Sequence, residues 1–280
     1  TRRPNAAVCL VGGARSFSDD GVYTTMLQNL VGGFGANTTF FAYLKTHDRN
    51  SKGKDIEENR ARAVIHANVT EVYRAAAQLV PMGKLDIVEA DVDVPISHCS
   101  QKGDAKLREY SAVPGNETLY DKDWRGYEFL QSGLSQVKGA HWCGEAIEEY
   151  VAATGVVFDV VFRFRPDLSF PMPMSPHCKW NLNRLCRARD WFWMLPGWNA
   201  VASLKRGYEG YKICEKGLVY KGSIVETFMA SGMGKVLTAE QKQKIPLADV
   251  KAKNFVMKVR RHKETIAPLG PSTLVATCGW

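Results

Sequence analysis

An α/β domain built on an open, mostly parallel sheet is the fold that this 280-residue sequence predicts. Three observations lead there. Ala6-Ala7-Val8-Cys9-Leu10-Val11 is a nearly continuous apolar run that stops at Gly12-Gly13, as a strand buried on both faces does. Val156 to Phe164 is the most strand-like segment, interrupted only by Asp159 and Arg163. Strand-like and helix-like stretches alternate between them, which favours parallel strands joined by crossover helices. No repeat or low-complexity tract divides the chain, so residues 1–280 read as one domain with a more irregular C-terminal third.

The elements follow in order. Ser18 or Asp19 can cap a helix through Leu30, striped by Val22, Met26, Leu27 and Leu30, and Gly32-Gly33-Phe34-Gly35 breaks it. Thr38 to Leu44 is β-branched and aromatic, a second strand that ends in Lys45-Thr46-His47-Asp48. Glu57 to Leu79 has helical spacing, Lys84 to Val94 alternates as a strand, and 97–123 is a polar loop. Glu128 to Ala153 is a long proline-free helix ended by Gly155. Pro166, Pro171, Pro173 and Pro176 oppose regular structure. Asp190 to Leu195 reads as a short strand, and Lys221 to Met233 as a helix.

Composition narrows the function. With 45% hydrophobic and 24% charged residues, 24 glycines and 12 prolines, disordered, collagenous and coiled-coil classes are excluded. No run approaches the roughly 18 apolar residues of a membrane span. Thr1-Arg2-Arg3-Pro4-Asn5 leads straight into the first apolar run without a signal peptide. Thirty-seven Lys and Arg against 29 Asp and Glu give +8, which favours anionic partners. The basic residues cluster only in Lys251 to Lys263, either a solvated face or a phosphate-contacting segment.

Seven cysteines form no CxxC pair, which argues against zinc-ribbon and thioredoxin-like motifs. Cys9, inside an apolar strand, reads as a small buried thiol, while Cys178 and Cys186 can pair or stay reduced. Sequons at Asn37, Asn68 and Asn116 exceed the roughly one expected by chance, a small signal for a secretory route. The odd cysteine count and the missing leader favour a reducing, cytoplasmic setting, with the Golgi lumen as the alternative if a membrane stem precedes the chain.

Ligands of open α/β sheets bind beyond the carboxyl ends of the strands, and three such ends carry polar clusters. Gly12-Gly13-Ala14-Arg15-Ser16 combines close backbone approach with a guanidinium suited to phosphate, or is a plain turn; it is neither a Walker A loop nor GxGxxG. Thr46, His47 and Asp48 can contact a ribose or base, or be ordinary loop residues. In Phe158 to Leu168, Arg163 and Arg165 share one face of the strand while Val160, Phe162 and Phe164 take the other. Two core-strand guanidiniums call for an anion. Asp167 either pairs with one of them or holds a metal.

Cys9-Leu10-Val11-Gly12-Gly13-Ala14-Arg15-Ser16-Phe17 and Phe158 to Leu168, in this order and well over a hundred residues apart, resemble a glycosyltransferase family with CLxGxxRSF and RxRPDL motifs. Gln131, Gln136, Lys138 and Cys143 of the intervening helix look similar as well, so the likeness covers roughly the first 170 residues. Algal and algal-virus xylosyltransferase-like enzymes show this pattern. The resemblance implies a GT-A-like domain, with 1–170 binding the nucleotide sugar and 171–280 the acceptor. It implies transfer from a UDP-sugar, a pentose such as xylose or a hexose, to a glycan or glycoprotein, with no nucleic acid involved. Gly12, Gly13, Arg15, Thr46, His47, Asp48, Arg163, Arg165 and Asp167 are then the donor site.

GT-A enzymes usually hold Mn²⁺ or Mg²⁺ with an Asp-x-Asp, but Arg165-Pro166-Asp167 supplies one carboxylate. Asp167 either binds the metal with help from phosphates and water, or Arg163 and Arg165 replace its charge. A literal Asp91-Val92-Asp93 is the alternative metal site. An inverting transfer needs a carboxylate base. Asp190 ranks first, before Glu209 and Glu226. Trp191, Trp193 and Trp198 are candidate acceptor platforms or parts of a Trp-rich core. The competing classes are a nucleic-acid binder using the basic C-terminal segment and a non-catalytic nucleotide- or sugar-binding protein.

Overall fold

The structure, a computed structural model, describes residues 2–49, 64–89, 124–183, 185–188 and 192–212, and two short strands at 248–249 and 257–258. The strands in chain order are β1 (Asn5–Gly13), β2 (Asn37–Lys45), β3 (His47–Arg49), β4 (Val64–His66), β5 (Met82–Val88), β6 (Val160–Phe164), β7 (Leu168–Ser169), β8 (Cys186–Ala188), β9 (Phe192–Pro196), β10 (Ala248–Asp249) and β11 (Met257–Lys258). The α-helices are α1 (Asp20–Thr25), which continues as a π-helical segment over Met26–Gly32, α2 (Val69–Ala76), α3 (Trp124–Thr154) and α4 (Gly197–Lys212).

The main sheet has seven strands in the order β10-β8-β9-β6-β1-β2-β5. Strands β5, β2, β1 and β6 run parallel, and β9 is inserted antiparallel between β6 and β8. The mostly parallel α/β architecture expected from the sequence is therefore present. The sheet runs across residue 170, since β6 pairs with β9 from one end to the other.

Strand β1 shows why its sequence has no polar interruption. Ala6, Val8 and Leu10 enter one core, with Met26, Leu30, Val72 and Ala76. Ala7, Cys9 and Val11 enter another, with Ala140, Cys143, Ile147 and Leu204. Side chains alternate between the faces, so a centrally placed strand must be apolar at every position. The α1–α2 segments thus cover one face of the sheet, and α3 and α4 the other.

Two glycines set the α3 packing. A Cβ at Gly139 would strike Val11 Cγ1, and one at Gly144 would lie 2.7 Å from Lys205 Cγ on α4. Lys205 Nζ also meets Glu148 of α3 at 2.7 Å. At Gly155 the chain takes φ +70°, which ends α3 where the sequence indicates.

Several expectations need correction. Cys9 is not a thiol: it is disulfide-bonded to Cys143, with Cα atoms 6.1 Å apart, and ties β1 to α3. Cys186 is also disulfide-bonded, whereas Cys178 is free and exposed, so these two do not pair. Val64 to His66, read as helix, is a strand antiparallel to β3. The helix starts only after Asn68, whose Oδ1 accepts from the N–H of Thr70 and Glu71. The run from Val156 becomes a strand only at Val160, because Asp159 turns to accept from the N–H of Asn5 and from Arg2. Helix α4 occupies a stretch after Pro196 to which the sequence reading assigns no element. The readings for 57–63, 97–123 and Lys221 to Met233 lie outside the described residues. Among the described residues, no helix is long and apolar enough to cross a membrane.

Candidate functional site

The order of strands creates a switch point. From β1 the chain moves to β2 and then β5 on one side, and α3 later returns it to β6 on the other. Between β1 and β6 the connections diverge to opposite faces, and such a switch point opens a crevice at the carboxyl ends of the strands. The loops that border it are Gly12 to Ser16 and Arg165 to Asp167.

These loops touch. Gly12 has φ +138°, a backbone that L side chains rarely adopt, and a Cβ there would lie 3.4 Å from Pro166 Cδ. Ala14 N–H donates to the Lys45 carbonyl at 2.7 Å and ties the first loop to the end of β2. Arg165 grips Asp167 with two bonds, Nε to Oδ1 at 2.9 Å and Nη2 to Oδ2 at 2.8 Å. Arg15 Nη1 approaches the same Oδ2 at 3.5 Å. The carboxylate side chain is 1% exposed, against 14% and 20% for Arg165 and Arg15. One buried negative charge thus organises two partly open guanidiniums, and the three groups together carry one excess positive charge. Guanidiniums are the side chains whose geometry matches the oxygens of carboxylates and phosphates.

The first and third clusters therefore come together, but Arg163 does not join them. Its alternation holds: it shares the α3/α4 face with Val161, while Phe162 and Phe164 enter the other core. It is, however, completely buried, in register between Cys9 of β1 and Trp193 of β9. Its side chain is thus enclosed on the α3/α4 face of the sheet, apart from the Arg15–Arg165–Asp167 group.

The second cluster is mostly structural. Thr46 is buried, and its hydroxyl lies 3.4 and 3.3 Å from the Val88 and Glu89 carbonyls. His47 Nδ1 donates to the Glu89 carbonyl at 2.9 Å. Both residues join β2 to the end of β5. Asp48 belongs to β3, and its side chain is not among those described. Lys45, which heads this cluster in the sequence but receives no role there, pairs with Gly13 across the strands, is buried, and donates through Nζ to Ser135 Oγ of α3. Its signal was a lysine at the end of an otherwise uncharged strand.

A resident divalent metal does not fit this set. Both Asp167 oxygens accept from guanidiniums, and a cation there would face Arg15 and Arg165. Among the described residues no group of three His, Cys, Asp or Glu side chains is placed to hold a metal ion. The expected role of Asp167 as a metal ligand is replaced by the ion pair. Asp91-Val92-Asp93 lies outside the described residues.

The acceptor-side expectations divide as well. Trp193 is fully buried against the α3/α4 face, so it is core and offers no ring to a sugar. Trp198 is half-exposed and stands at the edge of the sheet opposite Arg15. Pro196 pairs with Val160, and Gly197 N–H donates to the Asp159 carbonyl beside Asn5, which puts the start of α4 at the amino ends of β1 and β6. Nine residues of β1 separate that edge from Arg15, about 26 Å at strand rise. Glu209, half-exposed on α4, lies 3.9 Å from Nε2 of the buried His141 on α3. Burial holds the His141 imidazole below its ordinary pKa, opposed in part by Glu145 and Glu209. Asp190, Trp191 and Glu226 lie outside the described residues.

A scan against protein-family models finds no match, and a search of curated proteins finds no significant match.

Proposed function

We propose that the chain is a GT-A-like glycosyltransferase that moves a sugar, xylose in the narrowest form of the proposal, from a UDP-sugar to a glycan or glycoprotein hydroxyl. One observation carries the reading. Arg15 and Arg165 converge on the buried Asp167 in the crevice between β1 and β6, and they belong to the two motifs that resemble the family.

As the sugar departs, negative charge grows on the diphosphate. Two guanidiniums already oriented by Asp167 stabilise that charge without rearranging, which is how a fixed cationic site lowers a barrier. Gly12 and Gly13 let the backbone approach the phosphates. Asp167 is a positioning residue and touches no substrate. Asp190 is the first candidate for the base that takes the acceptor proton, and Glu226 the second. Glu209 is set aside because of its place beside His141. The Cys9–Cys143 disulfide favours an oxidising lumen over the cytoplasm for this activity.

The test is a thermal-shift series with UDP, UDP-xylose and UDP-glucose in excess chelator, followed by a sugar-transfer assay. A ligand at about 100 times its Kd stabilises by about 2.7 kcal/mol, enough to read as a shift in Tm. No shift with any nucleoside diphosphate or diphospho-sugar would remove the donor reading. Binding without transfer to any glycan or glycoprotein acceptor would leave a non-catalytic binding protein.

A further inference from the structure

We infer that Asn68 is an N-glycosylation site, a modification that goes beyond the proposed transfer reaction and rests on the oxidising-lumen part of that reading. The sequon Asn68-Val69-Thr70 is exposed at all three residues. Asn68 Oδ1 accepts from Thr70 N–H at 3.1 Å and from Glu71 N–H at 3.4 Å, which turns the other end of the planar amide away from α2. Nδ2, the atom that would carry the sugar, makes no hydrogen bond among the described residues. A glycan there would displace no hydrogen bond among the described residues.

Asn37 makes a useful contrast. Its Nδ2 donates to Asn5 Oδ1 at 3.3 Å, and Thr39, the hydroxyl residue of its sequon, is buried in β2 opposite Ala7 of β1. Of these two, Asn68 alone combines an unengaged amide with an open threonine. The side chains next to it supply a reason for a glycan. Val69 and Tyr73 are four apart on α2, and both are large apolar groups left in solvent. A saccharide rooted one residue before Val69 would screen this stripe. Sequons are modified where the lipid-linked donor and the enzyme that uses it are found, in the same lumen that allows disulfides, and Cys9–Cys143 and Cys186 are disulfide-bonded.

The reaction balances with a lipid-linked diphospho-oligosaccharide as co-reactant. Asn68 Nδ2 forms a bond to C1 of the first sugar, the C1–O bond to the diphosphate breaks, the lipid diphosphate leaves with the electron pair, and the amide loses one proton.

The experiment uses the full chain, tagged and recovered from its own cells, with peptide mapping before and after peptide:N-glycosidase treatment. The expected result is a peptide in which position 68 appears as Asp only after the enzyme acts, with a loss of mobility shift on the gel. Thr70→Ala should abolish that modification while keeping Asn68 as the helix cap, and Thr70→Ser should keep it, which separates the effect from misfolding. An unmodified Asn68 overturns the inference. If Cys9–Cys143 is intact in the same non-reduced map, the glycan site alone fails. If both thiols are free, the oxidising-lumen reading fails with it.

Discussion

Arg165 holds both carboxylate oxygens of Asp167, two residues further along the chain, while Arg15 reaches the same group from the β1–α1 loop. Pro166 lies between the two partners of the fork and limits the backbone of Arg165, so the pair is short in sequence and restricted in geometry. The pair is therefore a means of aiming Arg165 as well as a local ion pair.

Removing the aimed group should be felt by the ligand more than by the fold. Arg165→Ala is expected to weaken UDP binding by about 1.5–3 kcal/mol, the scale of a hydrogen bond to a charged group. Isothermal titration of the folded variant provides the measurement, and an unchanged Kd would remove Arg165 from the site.

Asp167→Asn should act differently. It leaves two guanidiniums facing each other around a buried amide, and breaking a buried pair costs about 3–5 kcal/mol. The lower end applies here, because both arginines keep some solvent contact. Urea unfolding should show this loss. UDP binding of the wild type should be the same with Mn²⁺ or excess chelator, and a strict metal requirement would return Asp167 to the role of ligand.

Gly12 should tolerate no side chain. Its φ is +138°, and Pro166 Cδ lies 3.4 Å from the point that a methyl group on Gly12 would occupy. Gly12→Ala is therefore expected to cost about 1–3 kcal/mol and to weaken UDP binding. A variant with wild-type stability and affinity would show that the two loops are free to separate.

Acid should weaken the α3–α4 contact through His141. Burial puts its folded pKa below the unfolded value of 6.5. The unfolded chain therefore takes up the proton first, and the stability that His141 contributes is complete above 6.5. It is lost as pH falls from there through the lowered folded pKa. Glu145 and Glu209 soften the penalty, while Lys205 and Lys212 add to it. Comparing wild type with His141→Gln across this window by urea unfolding should show a smaller acid loss in the variant. Parallel curves would remove His141 as the source.

Some of this was legible in the sequence and some was not, for physical reasons. Strands β1 and β2 announced themselves because central strands are apolar on both faces, and α3 because no proline interrupts its length and its four glycines are spread over 31 residues. Arg15 and Asp167 could each be placed at a strand end, yet their contact depends on β1 and β6 being neighbours, which is information about pairing and not about local pattern. The same limit hid β4, whose Val64 to His66 pairs with His47 to Arg49, and the joining of Cys9 to Cys143. Helix α4 was hidden by its own glycines, 197, 207 and 210, which lower intrinsic helix propensity. Packing against α3 compensates, where Leu204 and Lys205 close over Gly144. Trp193 and Trp198 looked alike as aromatic surfaces, and only the direction of β9 assigns one to the interior and the other to the far edge.

The Cys9–Cys143 bond spans 134 positions, so everything from the β1 end through β2, β5 and most of the crossover to α3 is strung on a covalent ring. A ring can be opened once without coming apart. A single protease cut anywhere in it would change the connectivity of the protein but leave both products on one molecule, with β1 still bolted to α3. The pieces would separate on a denaturing gel only after a reductant is added. In an oxidising environment this half of the sheet would outlive a nick that would release a fragment from a reduced chain.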